Sequence, residues 1–436
     1  MKKFIQILIL NFSFLIVNSF AQQPGWEIIP SGTSSQLYSI YFYDYEVGFA
    51  CGDSGVVIKS IDSGKTWQTL QTPVSYDLND LYMFDENTLC IVGDQGISLF
   101  SGNGGSSWTI GPSLTQDDLL SVSFSGTIGI SGASSQTILW GTYTGTGIIW
   151  IVVQSGFFGG GFWGAYMLSS QIGFIAGENS IFQPLFGKTT DTGVTWNFTA
   201  FYINNNEGRA TGIDFTDLNT GYVSARVWDG TGAIAKTTDG GNNWNSTIFS
   251  NPLWSIDFPI SGASQVGYSV GDSGTILKTY DAGINWQQQN SGTSLKLNKV
   301  FFKDFDFGFT VGESGIIVRT MSGGEPATNN ENEIQSQLSF QLYQNYPNPF
   351  NPTTKIKFTF PSVIASEAKQ SQIVTLKVYD VLGNEVITLV NEKLSAGEYE
   401  AEFNTSFINH QPSSGIYFYQ LKTGNFVQTK KMLLLK

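Results

Sequence analysis

The feature that most constrains the fold of this chain is a tryptophan that recurs at nearly constant intervals. Seven tryptophans follow one another at spacings of 41 to 48 residues: Trp26, Trp67, Trp108, Trp150, Trp196, Trp244 and Trp286. A period of about 40–45 residues is typical of one four-stranded blade of a β-propeller. The sequence therefore predicts an all-β, seven-bladed β-propeller. Its 49 glycines and low charged fraction of 13% suit short strands and tight turns.

Residues 253–286 show how one repeat is built. Residues 253–258 alternate between apolar and polar side chains, which is typical of a half-buried strand. Two further short strands are predicted at 267–270 and 275–278, separated by a Gly-Asp-Ser-Gly turn, and a fourth strand follows the tryptophan. Each repeat is thus one antiparallel sheet of four strands.

The turn before the tryptophan follows the pattern Ser/Thr-x-Asp-x-Gly-x-x-Trp, which resembles the Asp-box of bacterial neuraminidase repeats. Its members are Asp62 with Trp67, Asn103 with Trp108, Asp191 with Trp196, Asp239 with Trp244, and Asp281 with Trp286. A short carboxylate accepts backbone N–H bonds within its own turn, and the tryptophan supplies packing surface between blades. We interpret these residues as structural.

The two ends of the repeat region complement each other. Trp26 has no three strands before it, and the last repeat has no tryptophan after Gly324. Residues 26–34 also parallel residues 286–294. We therefore predict that the N-terminal strand completes the seventh blade and closes the ring, which hides two strand edges.

The repeats, above all residues 270–286 (VGDSGTILKTYDAGINW), resemble the photosystem II stability and assembly factor family of propellers. The resemblance covers residues 22–325 and implies the propeller fold. It does not imply photosystem binding for this chain.

A second domain is predicted at 339–436, after a polar linker at 326–338. Its short strand-like runs indicate a small Ig-like β-sandwich. The motifs YPNPFNP (346–352), VYDVLG (378–383), SGIYFY (414–419) and KKMLL (430–434) resemble the type A C-terminal sorting domain of the type IX secretion system. The resemblance implies that this secretion machinery is a partner and that the chain is exported through the periplasm. Residues 362–372 depart from the family pattern and indicate a loop insertion; a carbohydrate-binding sandwich is the alternative.

Residues 1–21 are typical of a secretory signal peptide. Lys2 and Lys3 precede a short apolar core, and Ser19-Phe20-Ala21 supplies a cleavage site. No membrane span is expected after its removal, so the protein is predicted to be secreted or held at the outer cell surface. The formal net charge of −13 argues against nucleic acid as a partner.

The two cysteines are Cys51 and Cys90. Aligning the Gly-Asp turns that follow them places both on equivalent strands of adjacent blades, with opposite phase across the blade interface. An oxidising exterior permits a disulfide there, whereas cysteine is also a common small core residue. Both alternatives remain open from the sequence.

Residues for common catalytic chemistry are scarce. The single histidine, His410, lies in the second domain, so histidine-based catalysis and metal binding are not expected in the propeller, and no cofactor is expected. The propeller has three arginines, Arg209, Arg226 and Arg319. The first two share one repeat. The third stands where other repeats carry Lys59, Lys188, Lys236 or Lys278, which indicates a structural cation. A sialidase is therefore not favoured, and glycoside hydrolysis by a pair of carboxylates is the alternative.

One rim of the propeller offers candidate binding residues. The turn between the second and third strands lies on the same rim as the connection to the next blade, and the Asp-boxes lie on the opposite rim. We call these the loop-rich rim and the Asp-box rim. The loop-rich rim carries Asp53, Asp94, Glu178, Asp272 and Glu313, together with Phe201, Tyr202 and Arg209 on a long connection. The acids also suit tight turns and solubility, so the aromatic connections are the better candidates.

These observations predict a secreted or cell-surface propeller that binds an extracellular glycan or protein without catalysis. A carboxylate-dependent glycoside hydrolase is the alternative, and a purely structural surface component is a third class.

Overall fold

The computed structural model describes residues 25–112, 114–154, 160–204, 206–259 and 265–325, and in the C-terminal part 341–343, 345, 347–360, 372–381, 384–394, 397–405, 413–423 and 426–435. The chain divides into two compact units, with Pro24–Pro326 in one and Ala327–Lys436 in the other. The predicted signal peptide, the linker 326–338, insertion residues 362–371 and His410 lie outside the described residues.

The first unit consists of seven four-stranded antiparallel sheets, and in blades 1 to 6 the four strands follow one another from the inside outward. The N-terminal strand is β1 (Glu27–Ile29). Blades 1 to 3 consist of β2 (Leu37–Phe42), β3 (Gly48–Gly52), β4 (Val57–Ser60) and β5 (Gln68–Leu70); β6 (Leu78–Met83), β7 (Leu89–Gly93), β8 (Ser98–Ser101) and β9 (Thr109–Ile110); and β10 (Leu119–Ser125), β11 (Ile128–Ala133), β12 (Ile138–Tyr143) and β13 (Ile148–Gln154).

Blades 4 to 6 consist of β14 (Gly161–Met167), β15 (Gly173–Glu178), β16 (Pro184–Thr189) and β17 (Asn197–Ala200); β18 (Gly208–Phe215), β19 (Gly221–Val227), β20 (Gly232–Thr237) and β21 (Asn245–Phe249); and β22 (Leu253–Asp257), β23 (Gly267–Gly271), β24 (Ile276–Thr279) and β25 (Gln287–Gln289). Blade 7 contains β26 (Leu297–Phe302), β27 (Gly308–Gly312) and β28 (Ile317–Thr320). Short 3-10 turns lie at Asp53–Gly55, Asp94–Gly96, Asp272–Gly274 and Glu313–Gly315.

The outer strand of blade 7 comes from the beginning of the propeller. β1 pairs antiparallel with β28, and Glu27 lies opposite Arg319. On the inner side, the Asn298 amide of blade 7 donates to the Leu37 carbonyl of blade 1 over 2.8 Å. The predicted all-β, seven-bladed architecture is confirmed, and these contacts are the ones that a closed ring requires.

The second strand of five blades begins with a glycine followed by an aromatic residue: Gly48-Phe49, Gly173-Phe174, Gly221-Tyr222, Gly267-Tyr268 and Gly308-Phe309. Aromatic stacking between neighbouring blades explains most of these pairs. An aromatic ring on a second strand stacks on a ring from the inner strand of an adjacent blade, with centroids 3.6 Å apart for Tyr268 and Phe302 and 3.7 Å apart for Phe174 and Phe215. The glycine before the second-strand ring is needed for space. A Cβ at Gly308 would lie 2.2 Å from the Phe302 ring, so no larger residue fits without displacing it.

The repeated cation on the third strand links blades 1, 5, 6 and 7 each to the next blade. Its head group donates to a carbonyl in the Asp-box turn of the following blade: Lys59 to Gly104 over 3.2 Å, Lys236 to Ala282 over 2.7 Å, Lys278 to Gly323 over 2.7 Å, and Arg319 to Ser63 over 2.9 Å. The last of these joins blade 7 to blade 1. Arg319 also pairs with Glu27 of β1, so one side chain binds both sides of the closure.

The Asp-box residues are bonded within their own turns. Asp62 accepts the backbone N–H of Thr66 over 2.9 Å, and the indole N–H of Trp67 donates to the Gly64 carbonyl over 3.1 Å. Equivalent carboxylate bonds are made by Asp191, Asp239 and Asp281, and Asn103 accepts the corresponding N–H in blade 2. Hydrogen bonds from the Asn243 side chain and backbone lower the pKa of Asp239 to about 2.

The two cysteines are free and buried. The predicted opposite phase was wrong, because Cys51 precedes its turn glycine by one residue and Cys90 precedes its own by three. An offset of two residues keeps both side chains on the same face of equivalent strands. Cys51 accordingly packs among residues of blades 1 and 2, whereas Cys90 packs among residues of blades 2 and 3.

The second unit is a two-sheet sandwich. Its strands are β29 (Gln341–Leu342), β30 (Thr353–Phe360), β31 (Gln372–Tyr379), β32 (Glu385–Leu394), β33 (Gly397–Asn404), β34 (Gly415–Thr423) and β35 (Phe426–Leu434). One sheet has the order β29-β30-β33 and the other β32-β31-β34-β35. Phe350 of the opening motif is buried, and its N–H donates to the Leu433 carbonyl over 3.0 Å. The Leu433 N–H donates in turn to Asn348 over 2.8 Å, so the opening motif and the terminal strand hold each other.

Candidate binding site at the channel mouth

The inner strands of all seven blades surround a cavity of about 720 Å³. Every inner strand has a bulge near its start, after the first residue in blades 1, 2, 3, 6 and 7, after the second in blade 4 and after the third in blade 5. The residues at these bulges line the end of the cavity toward the loop-rich rim: Tyr38, Asn79, Leu120, Trp163, Thr211, Trp254 and Asn298. We call this end the channel mouth.

A row of alternating indoles and cations runs along one side of the mouth, across blades 4 to 7. We call it the cation–aromatic ladder: Trp163, Arg209, Trp228, Arg226, Trp254 and Lys296. The Arg209 guanidinium lies 3.8 Å from the ring centroid of Trp163 and 5.6 Å from that of Trp228, Arg226 lies 5.0 Å from Trp228 and 6.0 Å from Trp254, and the Lys296 amine lies 3.6 Å from Trp254. Such contacts hold each cation over an aromatic face.

The local strand geometry builds the ladder. Arg209 of β18 lies opposite Arg226 of β19 in the antiparallel register, so the two guanidinium groups start from neighbouring positions of one blade. Trp228 follows on the turn after β19 and is 39% exposed. The ring of Phe182, 55% exposed, meets it edge to face with centroids 5.9 Å apart. The ladder therefore ends in an exposed aromatic surface.

A buried ion pair supports the first part of the ladder. Glu178 is buried, and its Oε1 accepts from Arg209 Nη2 over 3.0 Å. The second oxygen of Glu178 and Arg209 Nε are also buried but have no hydrogen-bond partner in the structure. Leaving such groups unpaired is costly, so this pair is an incompletely satisfied polar site beside Trp163.

At the other end of the ladder, Arg226 and Lys296 lie close together on either side of Trp254. Burial lowers the pKa of Lys296; nearby Asp272 acts in the opposite direction, and the positive charge of Arg226 lowers the pKa further. The Asp272 carboxylate itself accepts the Trp254 indole N–H over 2.6 Å and so fixes that ring under the Lys296 amine.

The candidate binding residues that the sequence places on the loop-rich rim have different environments in the structure. Arg209, Glu178 and Asp272 join the ladder, and Tyr202 is 54% exposed. Phe201, also a candidate binding residue, is instead buried and stacks on Trp244 with centroids 5.2 Å apart. The remaining acids accept local hydrogen bonds: Asp53 from the Gln36 N–H, Asp94 from the Asn79 amide, and Glu313 from the Lys296 N–H.

The three arginines do not converge on one point. Arg209 and Arg226 lie in the ladder, whereas Arg319 contacts Ser63 in an Asp-box turn of blade 1. This arrangement differs from the convergent arginine cluster that a sialidase requires.

Two acids, Asp214 and Asp257, lie deeper in the channel, each three residues after the bulge residue of its inner strand, in blades 5 and 6. Asp214 accepts the Phe258 N–H and Asp257 accepts the Phe302 N–H, each over 2.6 Å and each from the following blade. Burial raises the pKa of Asp214 to about 7. Burial together with the neighbouring Asp214 raises the pKa of Asp257 well above its usual range, while Lys299 partly offsets this shift.

Sequence reasoning missed most of the ladder, although a signal was present. The chain has eleven tryptophans, and only seven follow the repeat. Three of the four others, Trp163, Trp228 and Trp254, belong to the ladder. A tryptophan outside the period is not needed by the blade and therefore indicates a site-specific use.

Two family models match parts of the chain. Residues 344–435 match the secretion system C-terminal sorting domain, and residues 18–116 match the photosynthesis system II assembly factor YCF48. Both resemblances stated from the sequence are confirmed. No curated protein matches the chain.

Solved propellers resemble the first unit. "YCF48 bound to D1 peptide" aligns with a TM-score of 0.54 and 20% identity, covering 68% of this chain and 97% of that chain. YCF48 from Cyanidioschyzon merolae aligns with a TM-score of 0.54 and 17% identity, covering 68% and 98%. The WD40 propeller domain of Doa1 aligns with a TM-score of 0.52 and 14% identity, covering 71% and 98%. At these identities the likeness shows the fold alone.

The sorting-domain match implies handling by the type IX secretion system and hence export. Within the part of the chain that the structure describes, no helix has the length and apolar character needed to cross a membrane.

Proposed function

We propose that this chain is a secreted or cell-surface binding propeller that holds an extracellular glycan or protein at the channel mouth and does not catalyse a reaction. The observation that carries the proposal is the cation–aromatic ladder. It combines exposed aromatic surface with oriented charged groups beside a cavity, which is the composition of many binding sites. Export through the C-terminal sorting domain brings that surface to extracellular ligands.

The related propeller in "YCF48 bound to D1 peptide" holds a peptide, which supports ligand binding as a use of this fold. Fold alone does not identify the ligand of another chain. We therefore rest the proposal on the ladder and not on that complex.

A glycoside hydrolase is the second candidate, and Asp214 and Asp257 are the observation that favours it. A carboxyl group with a raised pKa can act as a general acid. Against this use, each of the two side chains accepts a backbone N–H of the next blade. We propose that these bonds join the inner strands and that the pair is structural.

The test is to screen residues 22–436 against polysaccharides, oligosaccharides and extracellular proteins, scoring retention and hydrolysis products in the same samples. The expected result is retention without products, abolished by Trp228→Ala. The matched control is Trp140→Phe, a tryptophan outside both the ladder and the repeat period. Products that disappear with Asp214→Asn would establish the hydrolase instead. Neither retention nor products would point to a structural surface component.

A further inference from the structure

We infer that the ligand of the cation–aromatic ladder is an acidic polysaccharide, with its carboxylates paired to Arg226 and Lys296 and its sugar rings placed against Trp228 and Phe182. This inference rests on the proposed function and adds the chemical class of the ligand.

The first argument is the charge of Arg226 and Lys296. Four other described cations at blade contacts pair with an acid: Arg209 with Glu178, Lys278 with Glu325, Lys299 with Asp80, and Arg319 with Glu27, whereas Lys59 and Lys236 bind backbone carbonyls. Among the described residues, Arg226 and Lys296 form no ion pair within 4.0 Å, and Arg226 disfavours the charge on Lys296. The two positive charges therefore lie side by side at the mouth, and Asp272 and Glu313 offset them only in part, without forming an ion pair with Lys296. A bound anion would remove their repulsion.

The second argument is the orientation of these cations. Arg226 lies over the indoles of Trp228 and Trp254, and Lys296 lies over Trp254. A guanidinium held against an aromatic ring keeps its N–H edge available for a planar carboxylate. Since the side chains are already held, less conformational entropy is lost when a carboxylate binds.

The third argument separates a polysaccharide from an acidic peptide. The ladder alternates cations with flat apolar surfaces, and a uronic acid chain alternates in the same way, because every residue has a carboxylate and a C–H face of the sugar ring. An acidic peptide carries its carboxylates on flexible side chains without rigid apolar faces, so it would lose more conformational entropy at this surface.

Three acids on blades 1 to 3, Asp77, Asp94 and Asp118, lie on the side of the mouth away from the ladder and repel an anionic ligand there. Asp77 and Asp118 lie near Asp94 on blades 1 to 3 and, after the larger effect of burial, contribute to its raised pKa. A polyanion that crossed the mouth would meet these like charges. The ligand is therefore placed along blades 4 to 7.

The test is calorimetric titration of residues 22–436 with hexagalacturonate and with its fully methyl-esterified form. The two probes have the same sugar rings and differ in charge. The acid is expected to bind at least about tenfold more tightly than the ester, since hydrogen bonds to charged groups are the stronger ones. Raising the salt concentration should weaken binding of the acid and leave the ester unaffected.

Variants locate the interaction. Arg226→Gln is expected to weaken binding of the acid about tenfold or more. Arg226→Lys keeps the charge but not the planar guanidinium, so its affinity for the acid is expected to lie between those of the wild type and Arg226→Gln. Lys65→Gln is the matched control, because Lys65 is an exposed cation in the Asp-box turn of blade 1, on the opposite rim. Unchanged tryptophan fluorescence melting curves show that each variant is folded.

Each outcome supports or overturns the inference. Equal affinity for acid and ester, with loss in Trp228→Ala, would leave the proposed function standing and overturn the acidic ligand. Binding of poly-glutamate with the same dependence on Arg226, and not of hexagalacturonate, would overturn the polysaccharide in favour of an acidic peptide. Loss of acid binding in Lys65→Gln as large as in Arg226→Gln would place the interaction outside the ladder. If neither probe nor any screened ligand binds, both proposals fail.

Discussion

Replacing Asp214 by asparagine should make the propeller more stable at neutral pH. The carboxyl group is buried, its folded-state pKa is raised from 3.8 to about 7, and Asp257 is raised in the same direction beside it. The folded state therefore binds this proton more tightly than the unfolded state. The penalty is absent below about pH 4 and grows as the pH rises from about 4 to about 7, so stability falls across that window.

The size of the effect follows from the shift. The pKa of Asp214 differs by about three units between the folded and unfolded states, and each unit is worth about 1.4 kcal/mol, so the ionised carboxylate lowers the free energy of unfolding by at most about 4 kcal/mol. Asp214 and Asp257 share this penalty because their ionisation is linked. We therefore expect Asp214→Asn to raise the free energy of unfolding by about 2–4 kcal/mol at pH 7.5. The amide oxygen still accepts the Phe258 N–H, which limits other losses. Lys299 faces Asp257 and lessens the shift there, and the Tyr166 phenol near both acids stays protonated because burial raises its pKa.

The assay is urea unfolding followed by tryptophan fluorescence at pH 4, 5.5 and 7.5. All eleven tryptophans lie between residues 26 and 286, so the signal reports the propeller within the whole chain. We expect equal stability of variant and wild type at pH 4 and a more stable variant at pH 7.5. A difference that does not change with pH, or a variant that is less stable at pH 7.5, would refute the reasoning.

Three further predictions concern contacts of the fold. Arg319→Met should lower the free energy of unfolding, measured in urea, by about 2–4 kcal/mol, because the Ser63 carbonyl loses its charged hydrogen-bond donor. Arg319→Lys keeps a charged donor and should lower it by less than half as much. Equal losses in the two variants would contradict this role. Asp62→Ala should lower the free energy of unfolding by about 1–2 kcal/mol in the same assay, because the Thr66 N–H loses its acceptor. Asp62→Asn should lower it clearly less, because Asn103 accepts the equivalent N–H bond in blade 2. A larger loss in Asp62→Asn than in Asp62→Ala would contradict the turn geometry. Asn348→Ala should speed hydrogen exchange of the Leu433 amide about tenfold, and an unchanged rate would show that the bond does not protect it.

The sequence determined the blades because a blade is a local structure. Its four strands follow one another within one period, and glycine-rich turns and alternating apolar residues specify their pairing without reference to distant parts of the chain. The pairing of β1 with β28 was also predictable, because residues 26–34 repeat the pattern of residues 286–294. The sorting motifs were recognised for the same reason, as each is a short contiguous run.

The tertiary structure decided which side chains from different blades meet. Arg209 and Arg226 share blade 5, but Trp163 and Trp254, the indoles on either side of them, come from blades 4 and 6, and only the packing of neighbouring blades brings these rings to the cations. The burial of Phe201 likewise depends on Trp244 of the adjacent blade. A strand's alternation shows that a residue faces one side of its sheet, but not which charge or ring stands across the interface. That pairing depends on the packing between blades, and it is this packing that sets the electrostatics of the channel and its mouth.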